Sequence, residues 1–411
     1  MKNEKQTPAL RFRGFDGPWE KKKLGDIGTA FDYGLNASAT DYDGKHKYLR
    51  ITDIDDESRK FVIDNLTSPD IDFADSDEYK LNEGDMVFAR TGASVGKTYL
   101  YSPLDGDVYY AGYLIRAHIK QEYDSNFVFQ STLTSSYARY IAITSQRSGQ
   151  PGVNAQEYAA YEMYVPTLDE QQHVGNTLHE IDELIDWQEQ KIKKAEQFRR
   201  AMLSKLFPAE GASEPALRFR GFSGPWKIVQ IYDIANIVGG GTPDTQEPAF
   251  WNGDIDWYAP VEMEGKRYAD GSERKITALG LEKSGAQLLP ANRTILFTSR
   301  AGIGKMAVLR KEGATNQGFQ SMVLKDTCAP YFIYAMGPFI TRMAEQVAAG
   351  STFLEISGKA LGNLFVSIPS LEEQKKIGDF FEHLDDFLSL QREKREKLRR
   401  LKAALLEKLF V

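Results

Sequence analysis

The feature that most constrains this chain is an internal duplication. The segment PALRFRGFDGPWE at 8–20 returns as PALRFRGFSGPWK at 215–227, with 11 of 13 positions identical. Further along, VPTLDEQQ at 165–172 is matched by IPSLEEQK at 368–375. The offset is 207 at the first pair and 203 at the second, so the chain holds two copies of one plan, each of about 205 residues. With 411 residues it is also too long for one ordinary domain, and two or three are expected.

The middles of the two copies have drifted apart. Between Trp19 and Val165 there is little identity with the stretch from Trp226 to Ile368, apart from echoes. One echo is Arg90–Lys97 (RTGASVGK) against Arg300–Lys305 (RAGIGK), and another is Ala111-Gly-Tyr113 against Gln317-Gly-Phe319. Shared frames around divergent centres suggest one scaffold presenting two recognition surfaces. The middles carry short β-rich runs such as MVFAR (86–90), VYYAGYLIRAHI (108–119), TILFTSR (294–300) and MAVLR (306–310), punctuated by Gly, Pro, Asp and Asn. These indicate strands with turns and a few helices.

The frames are helical. Apolar residues recur at Ile181, Ile185, Ile192, Phe198, Met202 and Leu206, and again at Leu384, Phe387, Leu398, Leu401, Leu405 and Leu409. Spacings of three and four predict two helices, each with one adhesive seam. From Asp169 to Glu189 the first has seven acids and no Lys or Arg, and from Lys191 to Lys205 it has six bases and one acid. The second repeats the gradient, with six acids and two bases from Glu372 to Asp386 and eight bases and three acids from Arg392 to Lys408. The helix dipole favours acids first and bases last, but only within the terminal turns. A gradient through the interior predicts antiparallel pairing, each acidic half against a basic half. The expected fold is α+β: two α/β domains of shared fold joined by an antiparallel coiled coil. The boundaries are 1–19 (frame), 20–165 (first domain), 166–212 (first helix), 213–226 (frame), 227–368 (second domain) and 369–411 (second helix).

Composition narrows the function classes. A hydrophobic fraction of 42% with 27% charged residues describes a globular chain. The start MKNEKQTPAL has no apolar core for a signal peptide and no stretch is long enough to cross a bilayer. With one cysteine, Cys328, no internal disulfide is possible, and a cytoplasmic location is expected. The net charge of −7 argues mildly against DNA binding, unless charge is segregated or a partner brings the basic surface.

Catalytic motifs fail on inspection. Gly92-Ala-Ser-Val-Gly-Lys-Thr98 resembles a phosphate-binding loop but has three residues between its glycines where four are needed, and the copy at Gly302–Met306 lacks the hydroxyl. Pro69-Asp70 with Glu78-Tyr-Lys80 imitates a metal-dependent nuclease, yet has no counterpart in the second copy. The five histidines do not cluster at ligand spacings, so neither catalysis nor metal binding is expected. Binding residues remain. Arg90 with Thr91, and Ser299 with Arg300, end strand-like runs and enter glycine-rich turns closed by Lys97 and Lys305. Such turns let N–H groups approach phosphate, and Arg can be bidentate to guanine. Alternatively, the glycines make a simple strand turn. Weaker candidates are Lys45, Lys47 and Arg50, the loop 146–150 with Arg147 and Gln150, Thr242 in Gly239–Pro243, and Gln317 and Gln320, which suit adenine edges.

Together, LRFxGFxGPW before each middle, GGTP at 240–243 followed by Trp251 and Trp257-Tyr-Ala-Pro260, and [VI]PxLxEQ opening a long helix resemble type I restriction-modification specificity subunits. The resemblance covers the whole chain. It implies two target-recognition domains, each reading one half of a bipartite double-stranded DNA site. It also implies helices that set the spacing and dock two modification (methyltransferase) subunits, which bind S-adenosylmethionine. Restriction/translocase subunits would use ATP and Mg, this chain would bind no cofactor, and no membrane would be involved. The first copy departs from the pattern, with Thr29–Gly34 where the second has GGTP. The competing reading is a tandem-domain coiled-coil scaffold that never touches DNA.

Overall fold

The computed structural model describes residues 6–147, 149–300, 302–348 and 354–411. Met1–Lys5 of the first frame, Ser148 of the 146–150 loop and Ala301 of the 300–305 turn lie outside them. The chain divides into two compact units, one comprising the chain up to Gln190 with Arg392–Val411, the other Lys191–Gln391. These are not the two sequence copies. Each unit takes the tail of the long helix that belongs to the other copy.

The two long helices are α1 (Leu168–Leu206) and α2 (Leu371–Leu409). In the first unit Asp182 meets Lys402 and Glu189 meets Arg395, both at 2.7 Å. In the second, Lys191 lies 5.4 Å from the Phe387 ring, Phe198 packs on Phe380 and Arg199 meets Asp385 at 2.5 Å. From Asp182 to Glu189 the partner falls from Lys402 to Arg395, and from Lys191 to Phe198 it falls from Phe387 to Phe380, so the pairing within each unit is antiparallel, with acids of one helix on bases of the other.

The buried seam contains Ile181, Ile192, Leu206 and Leu409, with Ile185, Met202, Leu384, Leu398 and Leu405 half-buried. Three residues assigned to it from spacing lie outside. Phe198 and Leu401 are 48% exposed and Phe387 is 37% exposed. The other buried apolar positions on α2 are Ile377, Phe381, Leu388 and Leu406, the last three each next to an apolar neighbour that spacing alone selects equally well. Apolar residues at adjacent positions widen the apparent stripe, and packing chooses one edge of it.

In the first unit β1 (Gly28–Tyr33), β2 (Asp85–Ala89), β3 (Thr98–Leu100) and β4 (Leu114–Ile119) form an antiparallel sheet in the order β1-β4-β2-β3. Alternate side chains of a strand point to opposite faces. Met86 and Phe88 accordingly enter one core with Phe127 and Leu178, while Val87 and Ala89 enter another with Leu49 and Tyr99. This explains why β2 reads as an unbroken apolar run. The second unit repeats the plan with β5 (Ala235–Gly239), β6 (Tyr268–Ala269), β7 (Thr294–Phe297), β8 (Met306–Leu309) and β9 (Gln320–Leu324), in the order β5-β9-β7-β8-β6. The added edge strand β6 runs parallel to β8.

The repeated sequence motifs are the anchors of this frame. Arg11 donates two 2.7 Å hydrogen bonds to Glu170, and Arg218 donates two of 2.7 and 2.8 Å to Glu373. The carboxylates are buried, and each raises the pKa of its guanidinium through those bonds. Gln171 accepts from the Asp124 N–H and donates to the Pro166 carbonyl, as Gln374 does with Ala329 and Pro369. Trp19 packs on Phe127 and Phe410, and Trp226 on Phe332 and Phe207. The Leu10 N–H donates to the Lys408 carbonyl and the Leu217 N–H to that of Lys205, both at 2.8 Å. Each frame segment thus ties the start of its own helix to the end of the other.

Candidate nucleic-acid interface

Backbone hydrogen bonds give the correspondence between the two divergent middles. Arg90 N–H donates to Tyr113 and Ser299 N–H to Gly318, while Val153 N–H donates to Arg90 and Ile356 N–H to Ser299. Ala89 N–H donates to Lys97 and Thr298 N–H to Lys305. The structural counterpart of Arg90 is therefore Ser299, and that of Thr91 is Arg300. The sequence echo that pairs Arg90 with Arg300 is one residue out of register. The second echo shifts likewise, because Leu114 N–H donates to Ala111 and Phe319 N–H to Asn316, which places Tyr113 opposite Gly318.

The missing GGTP turn of the first copy is also a register effect. Leu35 N–H donates to the Tyr110 carbonyl as Gly241 N–H donates to that of Thr315, so Gly34 stands where Gly240 stands. A Cβ on Gly34 would lie 2.3 Å from the Ala111 carbonyl oxygen, and one on Gly240 would lie 1.9 Å from that of Asn316. Both glycines answer to the same close approach of backbone on backbone. What differs is the loop beyond. Trp257 Nε1 donates to the Gly241 carbonyl and Trp251 Nε1 to that of Asp244, bracing the GGTP loop on two perpendicular indoles.

Around Arg90 the first unit gathers Thr91, which bridges to Gly152, and Gln150, whose amide lies beside Gly92. The Arg90 guanidinium sits 4.9 Å from the Tyr33 ring centroid and 5.9 Å from that of Tyr113. In the second unit Thr242 Oγ1 hydrogen-bonds Gln317, and Gln320 lies against Gly239 and Gly358. Ser299 is fully buried, and its hydroxyl has no partner among the described residues. Arg274 stacks on Trp251 at 3.7 Å and lies 5.6 Å from the Trp257 centroid. Sequence reading passed over Tyr33, Tyr113 and Arg274. An arginine one strand away from two tryptophans is no local signal.

Several candidate cations are committed elsewhere. Arg50 is bidentate to Asp53, which raises its pKa, and Lys97 pairs with Asp56 at 2.5 Å. Lys305 pairs with Glu264, and Lys47 donates to the Asp105 carbonyl. Arg147 is held by Glu157 at 2.5 Å and by two carbonyls. Lys45 is exposed. For Lys97 and Lys305 the acid lies near in space though not in sequence. The phosphate-loop mimic at Gly92–Ser94 is a single 3₁₀ turn leading into β3, with no helix behind it. Lys80 of the nuclease mimic pairs with Asp107 at 2.7 Å. Among the described residues no group of His, Cys, Asp or Glu is arranged to hold a metal, and no helix is long and apolar enough to cross a membrane.

Comparison with known proteins fits this duplicated layout. The chain is 31% identical over 190 residues to the MjaIX specificity subunit of a type I restriction enzyme from Methanocaldococcus jannaschii, covering 45% of this chain and 44% of that one. It is 29% identical over 177 residues to the EcoR124I/EcoR124II specificity subunit of Escherichia coli, covering 43% of that protein. These two relatives are therefore matched over less than half their length. A putative MjaX specificity subunit from M. jannaschii aligns over 95% of this chain and 92% of its own, at 23% identity. The fold is that of a type I restriction-modification S subunit from M. genitalium, with a TM-score of 0.66 at 16% identity over 98% of this chain and 99% of that one. The family model for the type I restriction modification DNA specificity domain matches twice, at residues 17–197 and 224–400, and the chain belongs to that family.

Proposed function

We propose that this chain is the non-catalytic subunit that gives a type I restriction-modification complex its DNA sequence specificity, each unit reading one half of a bipartite duplex site. The observation that carries the reading is a duplicated frame, anchored by identical contacts, around surfaces that differ residue by residue. In this reading two modification subunits supply S-adenosylmethionine chemistry, and restriction/translocase subunits supply ATP- and Mg-dependent steps in the cytoplasm. The partners also supply much of the positive surface that an acidic chain lacks. The helices offer them two duplicated sets of exposed apolar side chains. Leu184 and Trp187 in the first unit correspond, at an offset of 203, to Phe387 and Leu390 in the second. Exposed aromatic and aliphatic clusters of this kind are typical anchors of protein interfaces.

The test is a binding titration of the co-purified complex against random and cognate duplexes at several salt concentrations. Sequence-selective binding supports the reading, and salt-dependent binding with no selectivity overturns it. Exchanging residues 20–164 for those of a relative should change one half-site only. A heptad inserted into each helix, after Gln190 and after Glu393, lengthens the coiled coil by about 10 Å. It should lengthen the preferred spacer by roughly three base pairs at 3.4 Å each.

A further inference from the structure

Many arginines in these units are neutralised by carboxylates, as Arg11, Arg50, Arg116, Arg147, Arg199 and Arg218 show. Arg90 and Arg274 are different. Each is held by two aromatic rings, and neither has a carboxylate within ion-pair distance among the described residues. In an acidic chain these are places where a planar cation has been left available.

Stacking determines what such a cation can do. Rings on a guanidinium cover its faces and leave the edge, with its fork of N–H donors, as the part open to a ligand. The fork is also held before any ligand arrives, which lowers the entropy lost on binding. Trp251 and Trp257 are 8% and 5% exposed and are pinned by their own N–H bonds, so the Arg274 platform is rigid. Tyr33 and Tyr113 are 43% and 59% exposed, so the rings that hold Arg90 are themselves at the surface.

The two arginines are not equivalents by duplication. At the place of Arg90 the second unit has Ser299, and at the places of Tyr33 and Tyr113 it has Gly239 and Gly318. Arg274 instead lies on the strand Arg274–Ile276, which pairs with Trp251–Tyr258. The same device, a ring-held arginine free of carboxylate, has been built at two different places on one frame.

We propose that Arg90 and Arg274 are the specificity-determining arginines of the first and second unit, each donating in bidentate fashion to O6 and N7 of a guanine in its own half-site. The proposal rests on the reading of the chain as a DNA-specificity subunit. It adds that the two guanines lie at different positions relative to the frame, because the two arginines do.

The experiment is selection from a duplex library, randomised in both half-sites, by the complete complex carrying wild-type chain, Arg90→Ala, Arg90→Lys, Arg274→Ala or Arg274→Lys. Wild type should select a guanine in each half-site. Each Ala variant should relax one base pair, in one half-site, by about 10- to 100-fold, leaving the other half-site unchanged. The Lys variants should relax the same position, since an ammonium keeps the charge and lacks the fork. Tyr33→Leu and Trp251→Leu should weaken the same preferences by about two- to fivefold. A uniform loss over all sequences, recovered by Lys, would mean phosphate contact and overturns the proposal. Unchanged preferences with both variants overturn it as well. If wild type itself selects no sequence, the underlying functional reading fails, which is a different result.

Discussion

After β2 in the first unit the chain presents Arg90 between two tyrosines, whereas after β7 in the second the same backbone position is Ser299 between two glycines. A few residues away the relation inverts. Gly34 and Gly240 are the same residue at the same place, each pressed against a carbonyl oxygen. The two units therefore differ in the side chains at matching strand ends and agree where backbone meets backbone. Close approaches fix the frame, and the frame leaves exposed positions free to exchange an aromatic for a glycine. Such a scaffold can change its surface without changing its fold.

The sharpest way to break the comparison is to remove residues 392–411. By sequence they belong to the second copy, but they pack in the first unit, where Leu406 and Leu409 are buried and Phe410 meets Trp19. Loss of two buried leucines at 2–5 kcal/mol each should cost that unit on the order of 5 kcal/mol or more. Hydrogen exchange should lose protection across β1–β4 while β5–β9 keep theirs. Loss concentrated in the second unit would show that the sequence copies, not the swapped units, are the folding units. Next in size are the anchors. Arg11→Ala strands the buried Glu170 and Arg218→Ala strands Glu373, each costing roughly 3 kcal/mol, and each loosening only its own unit. Equal loosening of both units by either variant would refute their independence.

Gly34→Ala and Gly240→Ala come third. Either methyl must displace a carbonyl, at roughly 1–3 kcal/mol, and the two costs should be alike because the approach is alike. Gly271→Ala, with nothing within 4 Å of its added Cβ, should stay within about 0.5 kcal/mol. A large cost at Gly34 with none at Gly240 would mean that the frames are less alike than their hydrogen bonds indicate.

Legibility in the sequence followed the range of the interactions. The duplication, the long helices and their antiparallel sense were readable, because period and charge gradient are local. The meaning of the anchors was not. PALRFRGF and PTLDEQ are visible as repeats, yet that Arg11 reaches Glu170 depends on a separation of 159 residues. The exchange of helix tails is invisible for the same reason. Arg90 stands out in the sequence because it ends an apolar run, and its pairing with Arg300 failed because turns of unequal length hide the register. Lys97 and Arg147 looked available because Asp56 and Glu157 approach them only in the fold.

The smallest expected effect separates the units by pH. At an offset of 203, Asp182–Lys402 in the first unit corresponds to Asp385–Arg199 in the second. Burial pushes the pKa of the Lys402 ammonium below the ordinary lysine value, against the pull of Asp182. Burial also opposes the charge on Arg199, but the hydrogen bond and attraction of Asp385 outweigh it and raise that pKa. A lysine whose folded pKa is depressed binds its proton more weakly folded than unfolded. Stability therefore rises with pH between the depressed value and the unfolded one near 10.4. Arg199 contributes no such change, since guanidinium stays charged throughout. Lys402→Arg should remove the effect from the first unit. Following unfolding midpoints from pH 7 to 10, the wild type should gain on the variant as pH rises, and tyrosines titrating nearby cancel in the difference. A flat difference would mean that Lys402 keeps its proton as firmly folded as unfolded. The two units would then carry equivalent links despite the Lys-for-Arg exchange.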